Sequence, residues 1–363
     1  MRLVSIAKCE AGMQIGKPIY TDNGTVLIGE GVSLTQRMID SLSNRGVGMV
    51  YIKDKLTADL TITEDIPMEL RIEASKSINE TFSSISDSNH KWNKVVDNLN
   101  TDKLQQVLKT MIAELKKSGS ALSLLTNIHI HDNYVFAHSV NVTIYTLAMA
   151  VKLGLDDKKL NDLAIGGMLH DIGKTMIPLE ILNKKDKLTN EEFNEIKRHT
   201  EYGFEILRGQ SSVPLLAAHC AFQHHEKLDG TGYPRKLKGN EIHQYAKIMA
   251  IADVFDALTS HRSYRNAMLP HDAMEIIFAG ANTHFDSQLI QMFQKSVASY
   301  PIGVTVKLNT GETAVVVAYH FDAPGRPTVR ILKDPNGHAV SNPSEIDLSK
   351  NLSLMITESD TIL

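Results

Sequence analysis

The sequence predicts a mainly α-helical protein in which a helical bundle lies between a small N-terminal α+β module and a small C-terminal β module. Three observations support this fold class. Apolar residues recur at three- and four-residue steps from about residue 66 to residue 300, which is typical of packed helices. Short β-type runs bounded by turn residues occur before residue 55 and again after residue 301. The chain of 363 residues is long enough for one sizeable core with smaller additions.

The composition excludes several classes of protein. The formal net charge of -4 provides no overall basic field for nucleic acid or an anionic membrane, so a polyanionic ligand would need a local site. Cys9 and Cys220 are the only cysteines, too few for a disulfide framework. No signal-like apolar run follows Met1, and no uninterrupted apolar stretch is long enough for a bilayer. We therefore expect a cytoplasmic protein whose partners include neither DNA, RNA nor a membrane.

Residues 1–60 are predicted to form the N-terminal module. Its expected elements are a hairpin at residues 18–28 around Asp22-Asn23-Gly24, a short helix capped by Thr35, and a strand at residues 49–52. The module contains no cluster of chemically capable side chains. We therefore expect it to regulate or assemble the protein rather than to catalyse a reaction.

Residues 61–124 are predicted to form a helical linker. Apolar residues at helical spacing describe an amphipathic helix of about five turns. They are Leu104, Val107, Leu108, Met111, Ile112 and Leu115. Packing against the protein's own domain is one interpretation of this apolar face. A homodimer formed through the helix is the other, because the helix lies between modules where a partner could reach it.

Residues 125–300 carry the chemically capable side chains on predicted helices. One buried helix should start at His138, the next should end in His170-Asp171, and a third should contain Asp253. Buried helices that deliver side chains from distant parts of the sequence are the way in which a bundle builds a site.

Two local patterns refine these helices. Thr189 and Glu192 form a capping box, which should open the helix that carries His199. Gly166 and Gly167 weaken a helix intrinsically, so their presence indicates close approach by another backbone or by a metal.

Histidines and aspartates of this segment form a candidate metal-binding set. An adjacent His-Asp pair alone is weak evidence, since a helix cap or a surface hydrogen bond is the better explanation of such a pair. The full set is stronger because it also contains isolated histidines, a histidine pair and a second aspartate. Its members are His138, His170, Asp171, His199, His224, His225 and Asp253. Imidazole and carboxylate ligands without thiolates favour iron, manganese or a similar ion over structural zinc.

The loop that follows the histidine pair contains Gly230, Gly232, Tyr233 and Pro234. A plain tight turn would explain this composition. The functional interpretation is that the glycines allow a sharp bend while Tyr233 presents a ring on which a nucleobase can stack.

Residues 301–363 are predicted to form the C-terminal β module. Its β-type runs lie at residues 304–308, 313–317 and 328–332, separated by turn sequences that contain glycine or proline. This pattern predicts a small antiparallel sheet. The sequence assigns no task to it.

The ordered motifs of the central segment resemble the HD-GYP family, bacterial members of the HD phosphohydrolase superfamily that degrade cyclic di-GMP. The resemblance is carried by His138, His170 through Lys174, His199, His224-His225-Glu226, Asp229 through Pro234, and Asp253 through Arg265. It covers residues from about 125 to 300 and implies a helical HD-type bundle with cyclic di-GMP as its ligand. It also implies a diguanylate cyclase of the GGDEF type as a candidate partner. Residues 1 to about 55 resemble, more loosely, a small module often found ahead of HD-GYP domains.

The resemblance implies a role for each candidate ligand. His138, His170, Asp171 and Asp253 would hold one divalent ion, Asp171 would bridge to a second, and His199, His224 and His225 would complete the cluster. A hydroxide between two such ions, most readily Fe or Mn, would attack a phosphodiester, so the implied enzyme is a metal-dependent phosphodiesterase. The implied catalytic residues are Asp171 and Lys174. Lys174 would stabilise the developing charge or protonate the leaving 3′ oxygen.

Substrate binding would involve the loop residues Gly232, Tyr233 and Pro234, together with two arginines that follow Asp253. Arg262 and Arg265 are three residues apart, so one helical face or turn presents both. Guanidinium groups suit bidentate contacts with phosphate or with guanine. The family often has lysine at the position of Arg265.

One position departs from the family pattern. Members with three metals carry a glutamate one helical turn before the first histidine, where this chain has Tyr134. A phenol is a poor replacement for a bridging carboxylate, so we expect two metals, although Asp132 lies close by. The family pattern then implies that cleavage of cyclic di-GMP stops at pGpG, with GMP as the alternative product.

Two alternative functions stay open at this point. The chain could hydrolyse another cyclic dinucleotide, such as cyclic GMP-AMP, with the same metals. It could also sense cyclic di-GMP, or dock a diguanylate cyclase, without hydrolysis. The intact set of ligands argues against the second alternative, because binding alone does not require an activated water.

Overall fold

The computed structural model of the protein describes residues 1–21, 24–45, 47–62, 64–86, 99, 101–118, 134–184, 186–260, 267–320 and 322–359. The predicted fold class is confirmed. Helices dominate the centre of the chain, and small sheets lie at both ends of the sequence. The domain boundaries proposed from the sequence stay a prediction.

The described residues of the N-terminal module form two antiparallel strand pairs and one α-helix. Its elements are β1 (Arg2–Ser5), β2 (Ile19–Tyr20), β3 (Val26–Ile28), α1 (Gln36–Asn44) and β4 (Met49–Ile52). Strand β2 pairs with β3, which confirms the predicted hairpin, although Asp22 and Asn23 of its turn lie outside the described residues. The Thr35 hydroxyl accepts a hydrogen bond from the Met38 amide at 3.3 Å, which confirms the predicted cap. Strand β1, which pairs with β4, was not predicted.

Two helices follow, α2 (Met68–Ser86) and α3 (Asp102–Ser118). The six apolar residues of α3 that suggested an amphipathic helix are all buried. They lie in the same apolar cluster as the central bundle. The apolar face of α3 is therefore packed within its own chain, which removes the reason to expect a dimer through this face.

The bundle follows α3. Its helices are α4 (Tyr134–Lys152), α5 (Asp157–Leu169), α6 (Leu179–Leu182), α7 (Asn190–Lys197), α8 (His199–Arg208), α9 (Leu215–Gln223), α10 (Gln244–Thr259), α11 (Pro270–Ala279) and α12 (Ser287–Gln294). Helix α5 packs against α4 and α9, and α10 packs against α4. Among the described helices, none combines the length and the apolar character needed to cross a membrane.

Two predicted boundaries within the bundle were wrong. Helix α4 begins at Tyr134, one turn earlier than predicted. The capping box of Thr189 and Glu192 is confirmed, but the helix that it opens ends at Lys197, and His199 begins the next helix. The periodicity of apolar residues passes through this break without interruption, so the sequence carried no signal for it.

Close packing explains the two glycines of α5. A Cβ atom at Gly166 would lie 2.9 Å from Cys220 Sγ, and one at Gly167 would lie 2.7 Å from Thr143 Oγ1. Close approach was therefore predicted correctly, and the approaching groups belong to the neighbouring helices α9 and α4. The two glycines allow three helices to pack tightly behind the ends that carry the site.

The C-terminal module is an antiparallel sheet of β5 (Thr305–Leu308), β6 (Thr313–Ala318), β7 (Thr328–Lys333), β8 (Glu345–Asp347) and β9 (Ile356–Ser359). The strand order is β8-β7-β6-β5-β9. Strands β5, β6 and β7 confirm the three predicted runs. Strands β8 and β9 are short and more polar, so they showed no clear β pattern in the sequence.

The two terminal modules share one apolar core. Leu3 and Tyr51 of the N-terminal module lie in the same cluster as residues of the C-terminal sheet. The Leu3 amide donates a hydrogen bond to the Gly303 carbonyl at 2.9 Å. Arg330 makes two contacts of 2.7 Å with the carboxylate of Asp59. The N-terminal module is thus attached to the C-terminal one, a contact that no sequence pattern indicated.

Candidate metal centre

Residues from five separate segments meet in one volume of the bundle. The candidate ligands form two groups, and within each group the ligand atoms lie within 4.8 Å of one another. The first ligand group consists of His138, His170 and Asp171, and the second ligand group consists of His199, His224 and His225. Asp253 joins both, because its carboxylate oxygens lie 3.1 Å from His138 Nε2 and 3.8 Å from His225 Nδ1. All seven predicted ligands are therefore brought together, while their roles stay a prediction.

The ends of helices position most of these side chains. His170 and Asp171 follow the last residue of α5, His199 is the first residue of α8, and His224 and His225 follow α9. His138 and Asp253 instead project from α4 and α10, which pack against each other. Helix ends can approach one point without the collisions that complete helices would suffer, so five segments can reach one site.

Backbone carbonyls orient three of the histidine rings. The Nδ1 atom of His170 lies 2.7 Å from Gly167 O, that of His199 lies 2.6 Å from Ile196 O, and that of His224 lies 2.9 Å from Ala221 O. A carbonyl oxygen only accepts, so each Nδ1 must carry the proton and donate it. The Nε2 lone pairs therefore face the centre. This arrangement is typical of histidines that bind metals.

Asp256 orients the fourth ring. Its carboxylate accepts a hydrogen bond from His138 Nδ1 at 2.7 Å, and further ones from Asn141 Nδ2 at 2.8 Å and Ser260 Oγ at 3.2 Å. Asp256 was missed as a site residue in the sequence. The available signal was its position three residues after Asp253, which places both carboxylates on one face of α10.

Asp171 lies between the two ligand groups. Its Oδ2 atom is 3.4 Å from His170 Nε2 and 3.8 Å from His138 Nε2. Its Oδ1 atom is 3.5 Å from His199 Nε2 and 3.9 Å from His224 Nε2. One carboxylate thus presents one oxygen to each group, which is the geometry required of a bridging ligand.

Lys174 faces the site, as its spacing from Asp171 predicted. Its ammonium group makes a close ion pair with Asp171 Oδ2. Burial raises the pKa of Asp171, but Lys174 and His170 lower it more, so this pKa lies well below the ordinary value. Burial likewise raises the pKa of Asp253, and the hydrogen bond from His138 reverses the shift. Both carboxylates are therefore ionised at neutral pH.

The histidines differ in protonation. Burial lowers the pKa of His199 to about 4 and that of His225 to about 3, and it places the pKa of His224 well below its ordinary value. Burial also lowers the pKa of His138, but Asp253 and Asp256 outweigh it and raise this pKa to about 9. The second ligand group is thus neutral at pH 7, the form that binds metals. A cation bound at His138 has to displace a proton.

The buried atoms of the centre lack partners that a cation would supply. His170 Nε2 and Asp171 Oδ1 are buried and have no hydrogen-bond partner among the described residues. A buried acceptor without a partner costs roughly 1–3 kcal/mol, more when it is charged. Two such acceptors beside further imidazole nitrogens fit a divalent ion, so the residues present suit a metal centre.

A glycine allows the two ligand groups to approach each other. A Cβ atom at Gly173 would lie 1.9 Å from the carbonyl oxygen of His199 and 2.5 Å from the amide nitrogen of Gly203. Only glycine therefore fits where the turn after Asp171 crosses the start of α8. The sequence showed the glycine but not the contact that requires it.

The loop after His225 is held against the centre. A Cβ atom at Gly232 would lie 2.4 Å from the Lys227 amide nitrogen, and Gly230 has a φ of 81°, so the predicted sharp bend is confirmed. The Tyr233 amide donates to the His225 carbonyl at 3.1 Å. The centroid of the Tyr233 ring is 4.7 Å from that of His225, and a cis peptide bond leads to Pro234.

Glu226 anchors the far end of this loop. The side chain is buried, with 2% exposure, and its carboxylate accepts hydrogen bonds from the amides of Arg235 at 2.7 Å and Leu237 at 2.9 Å. Buried carboxylates that accept backbone hydrogen bonds fix the path of a chain. Glu226 had no assigned task in the sequence, and it explains how Tyr233 is kept beside His225.

Some predicted residues cannot be placed. Arg262, Arg265 and Asp132 lie outside the described residues. Tyr134 is the first residue of α4, but its side chain is also outside the described part of the structure. The contacts of both arginines and the expectation of two metals therefore stay predictions.

Family comparisons cover most of the chain. Residues 103–289 match the family model described as an HD domain. Residues 305–362 match one described as a KOW domain associated with HD domain. The first match contains all seven candidate ligands, and the second contains the C-terminal sheet.

Several proteins of known name are similar to this chain. The cyclic di-GMP phosphodiesterase PA4108 of Pseudomonas aeruginosa is 33% identical over 252 residues, which cover 69% of this chain and 61% of that protein. The 3′3′-cGAMP-specific phosphodiesterase 2 of Vibrio cholerae is 35% identical over 185 residues, 50% of this chain and 35% of that protein. This chain thus spans less than two thirds of the length of either relative.

One solved structure shows the fold. Bd1817, an HDG"Y"P protein from Bdellovibrio bacteriovorus, aligns with a TM-score of 0.50 and 18% identity over 80% of this chain and 97% of that one. At this level of identity the alignment supports the arrangement of helices and does not extend to activity.

Proposed function

Because the chain belongs to the HD domain family, we propose that it is a metal-dependent phosphodiesterase that hydrolyses cyclic di-GMP to pGpG. The observation that supports this most strongly is the position of Asp171, with one oxygen toward each ligand group. Relatives that are named cyclic dinucleotide phosphodiesterases support the substrate class. The activity and the substrate are therefore proposals for this chain, built on its own geometry and on those names.

We propose that the seven ligands hold two divalent ions, with Fe or Mn as the best candidates. The donors are imidazole nitrogens and carboxylate oxygens, and the nearby Cys220 sulfur faces Gly166 instead. When bound there, such ions would lower the pKa of a water molecule and offset charge on phosphoryl oxygens. Two ions rather than three follow from Tyr134, which replaces a bridging carboxylate in the family pattern, and cleavage is then expected to stop at pGpG.

The chain's own residues complete the proposed chemistry. Lys174 already contacts Asp171, so its ammonium lies where it can donate to a phosphoryl oxygen or protonate the leaving 3′ oxygen. Tyr233 offers an aromatic surface beside His225, with Gly232 and Pro234 fixing its position. Arg262 and Arg265 are proposed to bind phosphate, on the basis of their sequence positions alone.

A second substrate has support of its own. Relatives that are 35% and 36% identical to this chain carry the name 3′3′-cGAMP-specific phosphodiesterase, so hydrolysis of that cyclic GMP-AMP is the alternative activity. A sensor that binds cyclic di-GMP without cleaving it, or that docks a GGDEF-type diguanylate cyclase, is the alternative from another class. Such a protein would not require the bridging geometry of Asp171.

Product analysis separates these functions. The protein is purified without oxygen, loaded with Fe²⁺ or Mn²⁺, and incubated with cyclic di-GMP or 3′3′-cGAMP, and the products are resolved by chromatography. Release of pGpG or GMP supports the proposed enzyme, and faster cleavage of cGAMP supports the alternative substrate. His170→Ala and Asp171→Ala should abolish turnover, because each removes a group that faces the centre. Binding of cyclic di-GMP without any product would instead establish a sensor.

A further inference from the structure

The candidate metal centre reaches solvent on one side. The side chain of His225 is 27% exposed, whereas those of His138, His170, His199 and His224 are at most 2% exposed. The Tyr233 ring lies beside His225, so it borders the same opening. A large substrate can therefore approach the centre along His225 and Tyr233.

A lysine on α7 stands at this opening. The Lys197 Nζ atom lies 5.9 Å from the centroid of the Tyr233 ring and 4.6 Å from that of the Phe193 ring. It also donates a hydrogen bond to Asn194 Oδ1 at 3.0 Å. Phe193 and Asn194 precede Lys197 by four and three residues, so the helical repeat puts all three on one face. Two aromatic rings and an amide thus fix the direction of the ammonium group.

No carboxylate of the described residues pairs with this ammonium. In the part of the chain that the structure describes, no aspartate or glutamate lies within ion-pair distance of Lys197. Two lysines of the surrounding segment are paired, Lys174 with Asp171 and Lys184 with Glu192. Contacts with aromatic rings attract a cation without using up its donors. Lys197 therefore retains N–H groups for an anionic ligand.

The exposure of Phe193 is consistent with this interpretation. Its side chain is 46% exposed on a helix whose first turn carries two glutamates, so burial does not explain the aromatic ring. The Lys197 ammonium lies over this ring. A solvated lysine beside a surface ring is the ordinary explanation for such a pair. Lys197 differs from that ordinary case because it also lies near the Tyr233 ring, which borders the metal centre.

A cyclic dinucleotide carries two phosphates on opposite sides of one ring, and the metal centre can act on only one of them at a time. The net charge of the chain is -4, so the other phosphate needs a local cation. We propose that Lys197 binds the phosphate that is not being cleaved, and that Phe193 and Asn194 are its positioning residues. The inference rests on the proposed function and adds a substrate-binding residue to it.

The test compares two substrates. Cyclic di-GMP has two phosphates, whereas bis(p-nitrophenyl) phosphate has one, which the metal centre would take. Lys197→Met removes the charge and keeps most of the apolar stem. We expect the KM for cyclic di-GMP to rise by roughly tenfold with little change in kcat, because one charged hydrogen bond is lost. The ratio of kcat/KM for cyclic di-GMP to that for bis(p-nitrophenyl) phosphate should fall by the same factor.

Two further variants complete the experiment. Lys197→Arg keeps the positive charge, so its KM for cyclic di-GMP should lie close to the wild-type value. Lys158→Met removes an exposed lysine from the first turn of α5, the far end of the helix that leads to His170. It should leave the substrate ratio unchanged.

Several results would overturn the inference. An unchanged KM for cyclic di-GMP in Lys197→Met would show that the ammonium does not touch the substrate. An equal loss for both substrates would show that Lys197 acts through the metal centre. A wild-type protein that cleaves bis(p-nitrophenyl) phosphate but no cyclic dinucleotide would refute the proposed function, and the inference with it. The first two results leave the proposed function intact, so the failures are distinguishable.

Discussion

Replacing Asp256 by asparagine tests whether the partner of a ligand, rather than the ligand itself, sets the affinity of the metal centre. In the structure the Asp256 carboxylate accepts the proton on His138 Nδ1 at 2.7 Å, which leaves Nε2 facing Asp253. An asparagine side chain has the same shape, but its amide nitrogen can donate to Nδ1. The imidazole proton would then move to Nε2 and block the position that a metal needs.

The size of the effect follows from the contacts that are lost. A hydrogen bond to a charged group is worth roughly 1.5–3 kcal/mol. Replacing the outer partner of a metal-binding histidine costs roughly tenfold to hundredfold in metal affinity. Asp256 also raises the pKa of His138, so its removal eases the loss of the proton that a metal must displace. The losses of metal affinity measured after replacing such partners already include this compensation. We therefore expect the metal affinity of Asp256→Asn to fall by about tenfold or more.

The assay measures metal affinity by calorimetric titration of the metal-free protein with Mn²⁺. The metal content after dialysis is measured as well. Asp162→Asn is the matched control, because Asp162 is also a buried aspartate of the bundle but is not paired with any of the five ligand histidines in the described structure. Thermal denaturation of both metal-free variants shows whether either has lost its fold. Wild-type affinity in a folded Asp256→Asn protein would refute the reasoning, because His138 would then not depend on its carboxylate.

Three further predictions follow from the same centre. Gly173→Ala should destabilise the protein by roughly 3 kcal/mol or more in denaturant unfolding, because the added Cβ would overlap the His199 carbonyl. Gly209→Ala is the control and should cost little, because a Cβ at Gly209 has no neighbouring atom within 4 Å in the described structure. The metal-free protein should lose stability as the pH falls from about 6.5 to about 4, by roughly 1 kcal/mol per pH unit for each histidine of the second ligand group. The reason is that the pKa values of these histidines are lowered in the folded protein, so only the unfolded chain binds protons at these residues in this pH range. The raised pKa of His138 lowers the stability only as the pH rises from 6.5 toward 9, and the pKa of Asp171 lies below the range from pH 6.5 to 4. Denaturant midpoints that stay constant from pH 6.5 to 4 would therefore contradict the lowered histidine pKa values. Chelation of a metal-loaded sample should lower its melting temperature, because a metal bound only by the folded state stabilises that state, and an unchanged melting temperature would argue against a bound ion.

Local patterns predicted the individual elements well. The Thr35 cap and the capping box at Thr189 depend on contacts within a few residues, and both were confirmed. The apolar face of α3 could be predicted because it follows from the helical repeat, although the core that buries it is tertiary. The boundary between α7 and α8 was wrong because the apolar periodicity continues through it, while the close contact of Gly173 with the start of α8 comes from a remote part of the sequence. Strands β8 and β9 were missed because their pairing with longer strands, and not their own composition, makes them strands.

The candidate site divides in the same way. The seven ligands could be selected from the sequence because their residue types are chemically distinctive and their order resembles a known family. Asp256 and Glu226 could not be selected, because nothing in a buried aspartate or glutamate shows which backbone or ring it will bind. Lys197 could not be distinguished from an exposed lysine until Tyr233 was placed beside it.

The sequence by itself determined which side chains could bind a metal, which segments are helices, and which family the motifs resemble, because residue chemistry and periodicity are local properties. Only the tertiary structure decided that Asp171 lies between two groups of histidines, that Asp256 holds His138, and that the two terminal modules share a core. These features are distances between segments that are remote in the chain. Such distances arise from the packing of whole helices and sheets, which no single stretch of sequence specifies.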